Sequence, residues 1–278
     1  METLLSTKPS NNSLRDNPHI FGTYEWACQN ANFIDGCQHD CKYCYSKEMA
    51  IRFGRRTPDN WKNAIVKENN LNKKFKKVSG TIMFPSSHDI HPDNLDEAIK
   101  FLQNIVVENN KVLIVTKPHL MCISTICKEF KDYKKQILFR FTIGSISTRI
   151  LKFWEPGAPS FSERFKSLQL AYKKGFKTSV SCEPLLDKSP TLLVKKVLPF
   201  ITDSIWIGKP NYFLRRLKLN GYRDRNTILK ATQLLDYYSE SKVKLWYSHL
   251  KNNSKIRWKE SLKKILDIEL SSAKGLDI

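Results

Sequence analysis

The sequence predicts an α/β protein: parallel strands joined by helices into a partial (β/α)6 TIM-like barrel, with a helical extension after it. Three observations carry this. The chain has 278 residues with 41% hydrophobic and 27% charged content, enough for one large domain with a real core. Short apolar runs alternate with longer helical patterns six times, which calls for parallel strands and right-handed crossovers. The polar motifs fall at the ends of the apolar runs, where a barrel of this kind keeps its site. A full eightfold barrel is the alternative.

The elements follow in order. Residues 1–20 are polar and Ser/Asn-rich and predict a flexible tail. Residues 21–34 carry Tyr24, Trp26 and Phe33 and lead through a first strand to the loop Gly36-Cys37-Gln38-His39-Asp40-Cys41-Lys42-Tyr43-Cys44-Tyr45. A helix is expected over 46–53. The apolar run 80–84 is the second strand and ends in Pro85-Ser86-Ser87-His88-Asp89. Asn94 is a candidate N-cap for a helix with Leu95, Ala98, Ile99, Leu102, Ile105 and Val106 on one face. The two-sided apolar run 111–117 suits a strand covered on both faces. A helix over 120–130 precedes the fourth strand, 137–143. A further helix over 162–174 ends at Gly175, ahead of the fifth strand, 176–182. A helix over 191–200 and a sixth strand over 204–208 complete a core spanning 21–210. Residues 211–278 form a basic, mostly helical extension with one strand expected at 243–247.

Cys37, Cys41 and Cys44 stand at C-x3-C-x2-C. Three thiolates in one tight loop are soft ligands for one iron or zinc centre. A cubane cluster has four irons, so three local cysteines leave one iron open. Seven cysteines, an odd number with three clustered, argue against a secreted disulfide framework and for a cytoplasmic home. No apolar run is long enough to span a membrane. The net charge of +20 favours a polyanionic partner, although an AT-rich coding bias also enriches lysine. Arg215, Arg216, Arg223 and Arg225 interleave with Tyr212, Phe213 and Tyr222, a composition suited to base stacking with phosphate contacts or to packing on the barrel.

The cysteine triplet with Tyr43 at its aromatic position resembles the cluster motif of the radical S-adenosylmethionine enzymes. Several stretches resemble its spore photoproduct lyase-like (DNA repair photolyase-like) branch over residues 21–210. These are Asn32-Phe33, Tyr45, Val115-Thr116-Lys117, Ser145-Ile146-Ser147, Glu155-Pro156-Gly157-Ala158-Pro159-Ser160 and Arg164. The resemblance implies the radical S-adenosylmethionine type of barrel and a [4Fe–4S] cluster on Cys37, Cys41 and Cys44. It also implies reductive cleavage of S-adenosylmethionine to a 5′-deoxyadenosyl radical, and an external one-electron reductant. Tyr43 would lie near the adenine, Ser86 and Ser87 near the cofactor amino group, Lys117 at its carboxylate with Arg140 as the next cation in line, and Ser145 and Ser147 at the ribose.

Glu183 points into the lumen if the polar set Ser179, Ser181 and Glu183 faces inward. Glu155 and Arg164 are read as a buttressing pair. The lyases carry a hydrogen-donating cysteine after the second strand, where this chain has Ser86-Ser87. Thymine-dimer repair by that route is therefore unsupported, and Tyr45 is left as the candidate hydrogen-atom donor. The substrate expected is a nucleic-acid base. The alternatives are a peptide or small metabolite, or a non-catalytic nucleic-acid binder with zinc completed by Cys28 or His39.

Overall fold

The computed structural model describes residue 20 and residues 22–275. The tail expected over 1–20 lies outside the described residues apart from residue 20. Strand β1 (Gln29–Asn30) opens the sheet. The antiparallel pair β2 (Ile34–Asp35) and β3 (Ile65–Val66) brackets the cysteine loop and helix α1 (Tyr45–Arg52). After a short helix α2 (Glu68–Leu71), strands and helices alternate. The order is β4 (Thr81–Phe84), α3 (Leu95–Val106), β5 (Lys111–Thr116), α4 (Leu120–Glu129), β6 (Ile137–Thr142), α5 (Thr148–Trp154), α6 (Phe161–Lys173), β7 (Lys177–Cys182), α7 (Thr191–Val197) and β8 (Ile205–Ile207). Then come α8 (Phe213–Leu219), α9 (Arg225–Leu235), α10 (Glu240–Leu250), β9 (Ile256–Trp258) and α11 (Glu260–Leu266).

Seven strands form one parallel sheet in the order β1-β4-β5-β6-β7-β8-β9. This is the expected partial barrel with a seventh strand. The seventh comes from the C-terminal segment, whose Ile205↔Ile256 and Ile207↔Trp258 partners extend the sheet beyond β8. The strand expected at 243–247 is instead part of α10. Val243, Trp246 and Leu250 are its buried residues, a spacing of three and four that puts one apolar face on the core.

The two faces of the sheet divide the chemistry. Outward residues such as Phe139, Phe141, Val180 and Cys182 are fully buried under the helices. Inward, Arg140 donates from Nε to Ser179 Oγ at 2.9 Å and stacks on Trp26 and Trp206, at 4.7 and 5.1 Å from the ring centroids. Trp26 comes from residues 22–27, which span the gap between the edge strands. Lys259, just past β9, donates to the Gly22 carbonyl at 3.0 Å and pairs with Glu25 at 2.6 Å. Cys28 N donates to Thr81 O at 3.0 Å on the other side.

Asn94 precedes α3, but its side chain makes no cap bond to that helix. Its Oδ1 accepts from His91 N at 3.0 Å, and His91 Nδ1 accepts from Asp93 N, so the pair closes the preceding 3-10 turn instead.

Candidate active site

The cysteine loop sits at the C-terminal end of the barrel and is gripped from several sides. Gly36 has φ +101°, and a Cβ there would stand 2.8 Å from the Trp61 carbonyl oxygen, so only glycine fits. Cys37 N donates to that same carbonyl at 3.0 Å. Lys42 N donates to Trp154 O at 2.9 Å. From the C-terminal segment, the buried Asn220 donates from Nδ2 to the carbonyls of Lys42 and Cys44, both at 2.9 Å. Gly157 lies against the loop so closely that a Cβ would collide with the Gln38 carbonyl oxygen; its N–H donates to His39 O at 3.0 Å.

The three cysteines carry no disulfide. Cys44 caps α1, its Sγ accepting from Lys47 N at 3.4 Å. Burial pushes all three thiols above the ordinary thiol range; Cys44 adds to this for Cys37, and Cys37 and Cys44 add to it for Cys41. A cluster or metal bound here displaces those protons. Three soft donors on one short loop, bracketed by well-bonded backbone, fit an iron–sulfur cluster held by three thiolates. Cys28, the other sulfur considered for a metal, is elsewhere. It donates to Thr81 O at 3.3 Å beside the start of β4, the opposite end of that strand.

Beneath the loop, Tyr43 Oη donates to Glu155 Oε1, and Arg164 Nη2 donates to Glu155 Oε2. Arg164 also donates to the carbonyls of Pro159 and Thr142, at 2.9 and 3.1 Å. Glu155 and Arg164 are fully buried. Burial works against the Glu155 carboxylate, but Arg164 and Lys117 outweigh it and hold its pKa below the usual range. Tyr43 packs its ring towards Phe213, with centroids 6.1 Å apart.

After β4, Asn32 orders the serine pair. Its Oδ1 accepts from Ser86 N and Ser87 N at 2.8 and 2.9 Å, and its Nδ2 donates to Ser86 Oγ at 2.8 Å. The Ser87 hydroxyl makes no hydrogen bond among the described residues. Tyr45 Oη donates to the Ser86 carbonyl at 2.7 Å. Burial keeps the Tyr45 pKa above the ordinary phenol value, so the O–H is intact at neutral pH.

Asp89 organises the next strand end. Its Oδ1 accepts from Thr116 Oγ1 and from Lys117 N, each at 2.7 Å. Its Oδ2 lies 2.9 Å from His39 Nδ1 and 3.6 Å from Lys117 Nζ. Burial penalises the Lys117 ammonium, but Cys41, Asp89 and Glu155 overcome that and hold its pKa above the usual range. His39 Nε2 is 2.9 Å from His119 Nε2, and His119 Nδ1 is 3.6 Å from Glu163 Oε1. Ligand atoms of Cys37, His39 and Asp89 lie within 4.8 Å of one another, the one such group among the described residues. Sequence reasoning passed over Asp89 and His119. His88-Asp89-Ile90-His91 at a strand end was the available signal.

The remaining residues are differently engaged. Ser145 Oγ donates to Asp187 Oδ1, and Ser147 Oγ accepts from Ile150 N at 3.4 Å as the cap of α5. Glu183 pairs with Lys259 at 3.6 Å and belongs to the inward set, with Ser179. Arg140 is committed to Ser179, Ser204 and Asp203 near the N-terminal ends of β7 and β8, so it is not a second cation for this site. Arg215 and Arg216 both pair with the buried Glu48 of α1, at 2.7 and 3.2 Å, and Arg215 stacks on Tyr212 at 4.6 Å. Arg223 donates to Lys218 O at 3.2 Å, and Arg225 is exposed at the start of α9.

Residues 31–187, more than half of the chain, match the model of the Radical SAM superfamily. The chain belongs to the Radical SAM superfamily. It is an enzyme of that superfamily, whose members use S-adenosylmethionine and an iron–sulfur cluster. It is 26% identical over 249 residues to the uncharacterized protein MJ0683 of Methanocaldococcus jannaschii, covering 87% of this chain and 85% of that one. It is also 26% identical over 166 residues to the uncharacterized protein ORF301 of Acidianus two-tailed virus, covering 55% of this chain and 54% of that one. The chain thus spans about half the length of the viral relative.

Among solved structures, a spore photoproduct lyase variant with a dinucleoside spore photoproduct superposes with a TM-score of 0.51 at 14% identity, covering 76% of this chain and 65% of that one. SuiB of Streptococcus suis, bound to S-adenosylmethionine, gives 0.50 at 12%, covering 89% and 54%. At these identities the likeness is one of fold. Among the described residues no helix is long and apolar enough to cross a membrane.

Proposed function

We propose that Cys37, Cys41 and Cys44 hold a [4Fe–4S] cluster, and that the enzyme cleaves S-adenosylmethionine to modify or repair a nucleic-acid base. The observation that carries the cluster is the set of three free thiols, Cys37 and Cys41 buried and Cys44 half-buried, on one loop at the C-terminal end of the barrel. When bound, the cluster and S-adenosylmethionine together supply a 5′-deoxyadenosyl radical that takes a hydrogen atom from the substrate, given one electron from an external reductant. The chain's own residues bind and orient. Lys117, a charged ammonium at 3.6 Å from Asp89, offers its other donors to the cofactor carboxylate. The free hydroxyl of Ser87 and the loop ordered by Asn32 suit the amino group. Glu183 faces the inner wall. Tyr43, locked to Glu155, supports the loop, with its ring edge left for the adenine. Ser145 and Ser147 reach the ribose only by sharing their present bonds.

Tyr45 is our candidate for returning a hydrogen atom to the substrate radical. Its O–H is intact and meets the serine pair that replaces the lyase cysteine. The tyrosyl radical left behind is reset by the reductant and a proton. A base in a duplex is beyond the reach of a barrel mouth, so it must be flipped or single-stranded. Tyr212, 67% exposed and flanked by Arg215, suits stacking of such a base. A peptide substrate is the second reading; SuiB has been solved with its precursor peptide SuiA.

The test is fluorescence titration of single- and double-stranded DNA and RNA at two salt concentrations. Arg215 and Arg216 are poor probes, because removing them strands the buried Glu48. Tyr212→Ala and Arg223→Ala change exposed side chains instead. Tyr212→Ala should weaken single-strand binding by roughly 1–3 kcal/mol, and binding should fall steeply with salt. No nucleic-acid binding in low salt, with cofactor cleavage intact, passes the substrate to the peptide or metabolite reading.

A further inference from the structure

We propose that the opposite mouth of the barrel is a second binding site, for a small phosphate-bearing anion. It lies at the N-terminal ends of the strands and does not depend on how the cysteine loop is read. A cavity of about 350 Å3 opens there. Lys111 is the first residue of β5, Lys177 is the first of β7, Lys135 precedes β6, and Arg257 sits in β9. All four line the cavity, and none makes an ion pair among the described residues. The two acids on the same wall are already used. Asp203 pairs with Arg140 at 3.4 Å and accepts from Ser204 Oγ, and Glu25 pairs with Lys259 at 2.6 Å. Four cations therefore converge on one recess without counter-charge from its own wall.

A second, independent observation is an orphaned donor. Trp26 lines the cavity, and its Nε1 is buried with no hydrogen-bond partner. The neighbouring Trp206 Nε1, by contrast, donates to Ser204 Oγ at 2.8 Å. A buried N–H without an acceptor is costly, and buried donors in folded proteins are almost always satisfied. The Trp26 ring cannot easily turn to find another partner. It is held edge-on by Trp206 at 5.6 Å, with Arg140 at 4.7 Å and Lys259 Nζ at 4.1 Å over its ring. An acceptor oxygen that reached this N–H would satisfy it.

The chemistry of the wall names the ligand. A fixed N–H with several cations recognises a multiply charged oxyanion, since hydrogen bonds to ionised acceptors are the strong ones. The volume exceeds what a bare phosphate needs and falls at the lower end of small-molecule sites. Leu113 and Leu138 on the same wall offer an apolar strip for a small organic group beside the phosphate. The recess is a lumen between strand ends, so the ligand is a small molecule and not a polynucleotide.

The test uses the full chain at constant ionic strength, titrating inorganic phosphate and ribose 5-phosphate with chloride as the control. Tryptophan emission and calorimetry are the readouts. Saturable binding with Kd below about 1 mM is expected for at least one probe. Tighter binding of ribose 5-phosphate assigns an organic phosphate, and equal binding assigns phosphate itself. The Lys111→Gln/Lys177→Gln variant, which changes two exposed side chains, should weaken binding about tenfold or more. Trp26→Phe, which keeps a ring but removes the N–H, should weaken it in the same direction. Lys244→Gln, on the exposed face of α10, should leave it unchanged. Cluster loading should be equal in all of them. Binding no tighter than the chloride control, or unaltered in Lys111→Gln/Lys177→Gln, overturns the site.

Discussion

Arg164 shows how much of this site rests on single buried groups. Its guanidinium reaches one carboxylate and two backbone carbonyls, and that carboxylate, Glu155, in turn accepts from Tyr43 between two of the cysteines. Removing one member of a buried ion pair leaves the other uncompensated. Arg164→Ala should therefore cost about 3–5 kcal/mol in denaturant unfolding, whereas Arg223→Ala on the surface should cost almost nothing. His88 sets a pH dependence. It is buried against Phe33 and Phe84, and burial lowers its pKa to about 4. Above pH 6.5 the ring is neutral in both folded and unfolded chains, and this stability is fully present. As pH falls from 6.5 towards 4, the unfolded chain takes a proton that the folded one does not. Stability then falls by up to about 3 kcal/mol. Unfolding curves from pH 7 to 4 for wild type and His88→Asn check this, the variant having the shallower slope. At this scale the cysteines were legible because all three lie within eight residues. Asp89 and His119 were not, because separate strand ends bring them to His39.

Helices and strands were legible where their pattern is long. The runs at 111–117 and 137–143 declare themselves by apolar, β-branched and aromatic content. β9 has three residues, too few for a pattern, and α10 reads locally as apolar enough for a strand until its buried residues fall three and four apart. The role of α8 was also hidden. Asn220, its C-cap, holds the backbone between Cys41 and Cys44 through two bonds at 2.9 Å. Asn220→Ala takes the partner from the Lys42 carbonyl, while the Cys44 carbonyl keeps Glu48 N at 3.2 Å, and should cost about 1–3 kcal/mol. Alkylation of Cys41 and Cys44 in the apoprotein should be faster, and iron should be lost sooner on dilution. Equal alkylation rates in wild type and variant would show that the clamp does not hold the loop.

For the molecule as a whole, the net charge of +20 is not spread as the sequence suggests. Arg215 and Arg216 are partly consumed by Glu48, while four cations without an ion pair among the described residues gather at the mouth opposite the cysteine loop. On our proposals the barrel separates two jobs: cofactor chemistry at the C-terminal ends of its strands, and anion binding at the N-terminal ends. The sequence could indicate the first because its motifs are contiguous. It could not indicate the second, which is assembled from single residues of three strands, from Lys135 ahead of β6, and from Trp26, threaded through the gap in the sheet. The most direct test of the central claim is anaerobic reconstitution followed by reduction in the presence of S-adenosylmethionine, with iron and 5′-deoxyadenosine measured together. Wild type should hold about four irons per chain and release 5′-deoxyadenosine and methionine, and Cys37→Ala, Cys41→Ala and Cys44→Ala should each lose both. Tight stoichiometric zinc with no iron, or a full cluster in the cysteine variants, would contradict it.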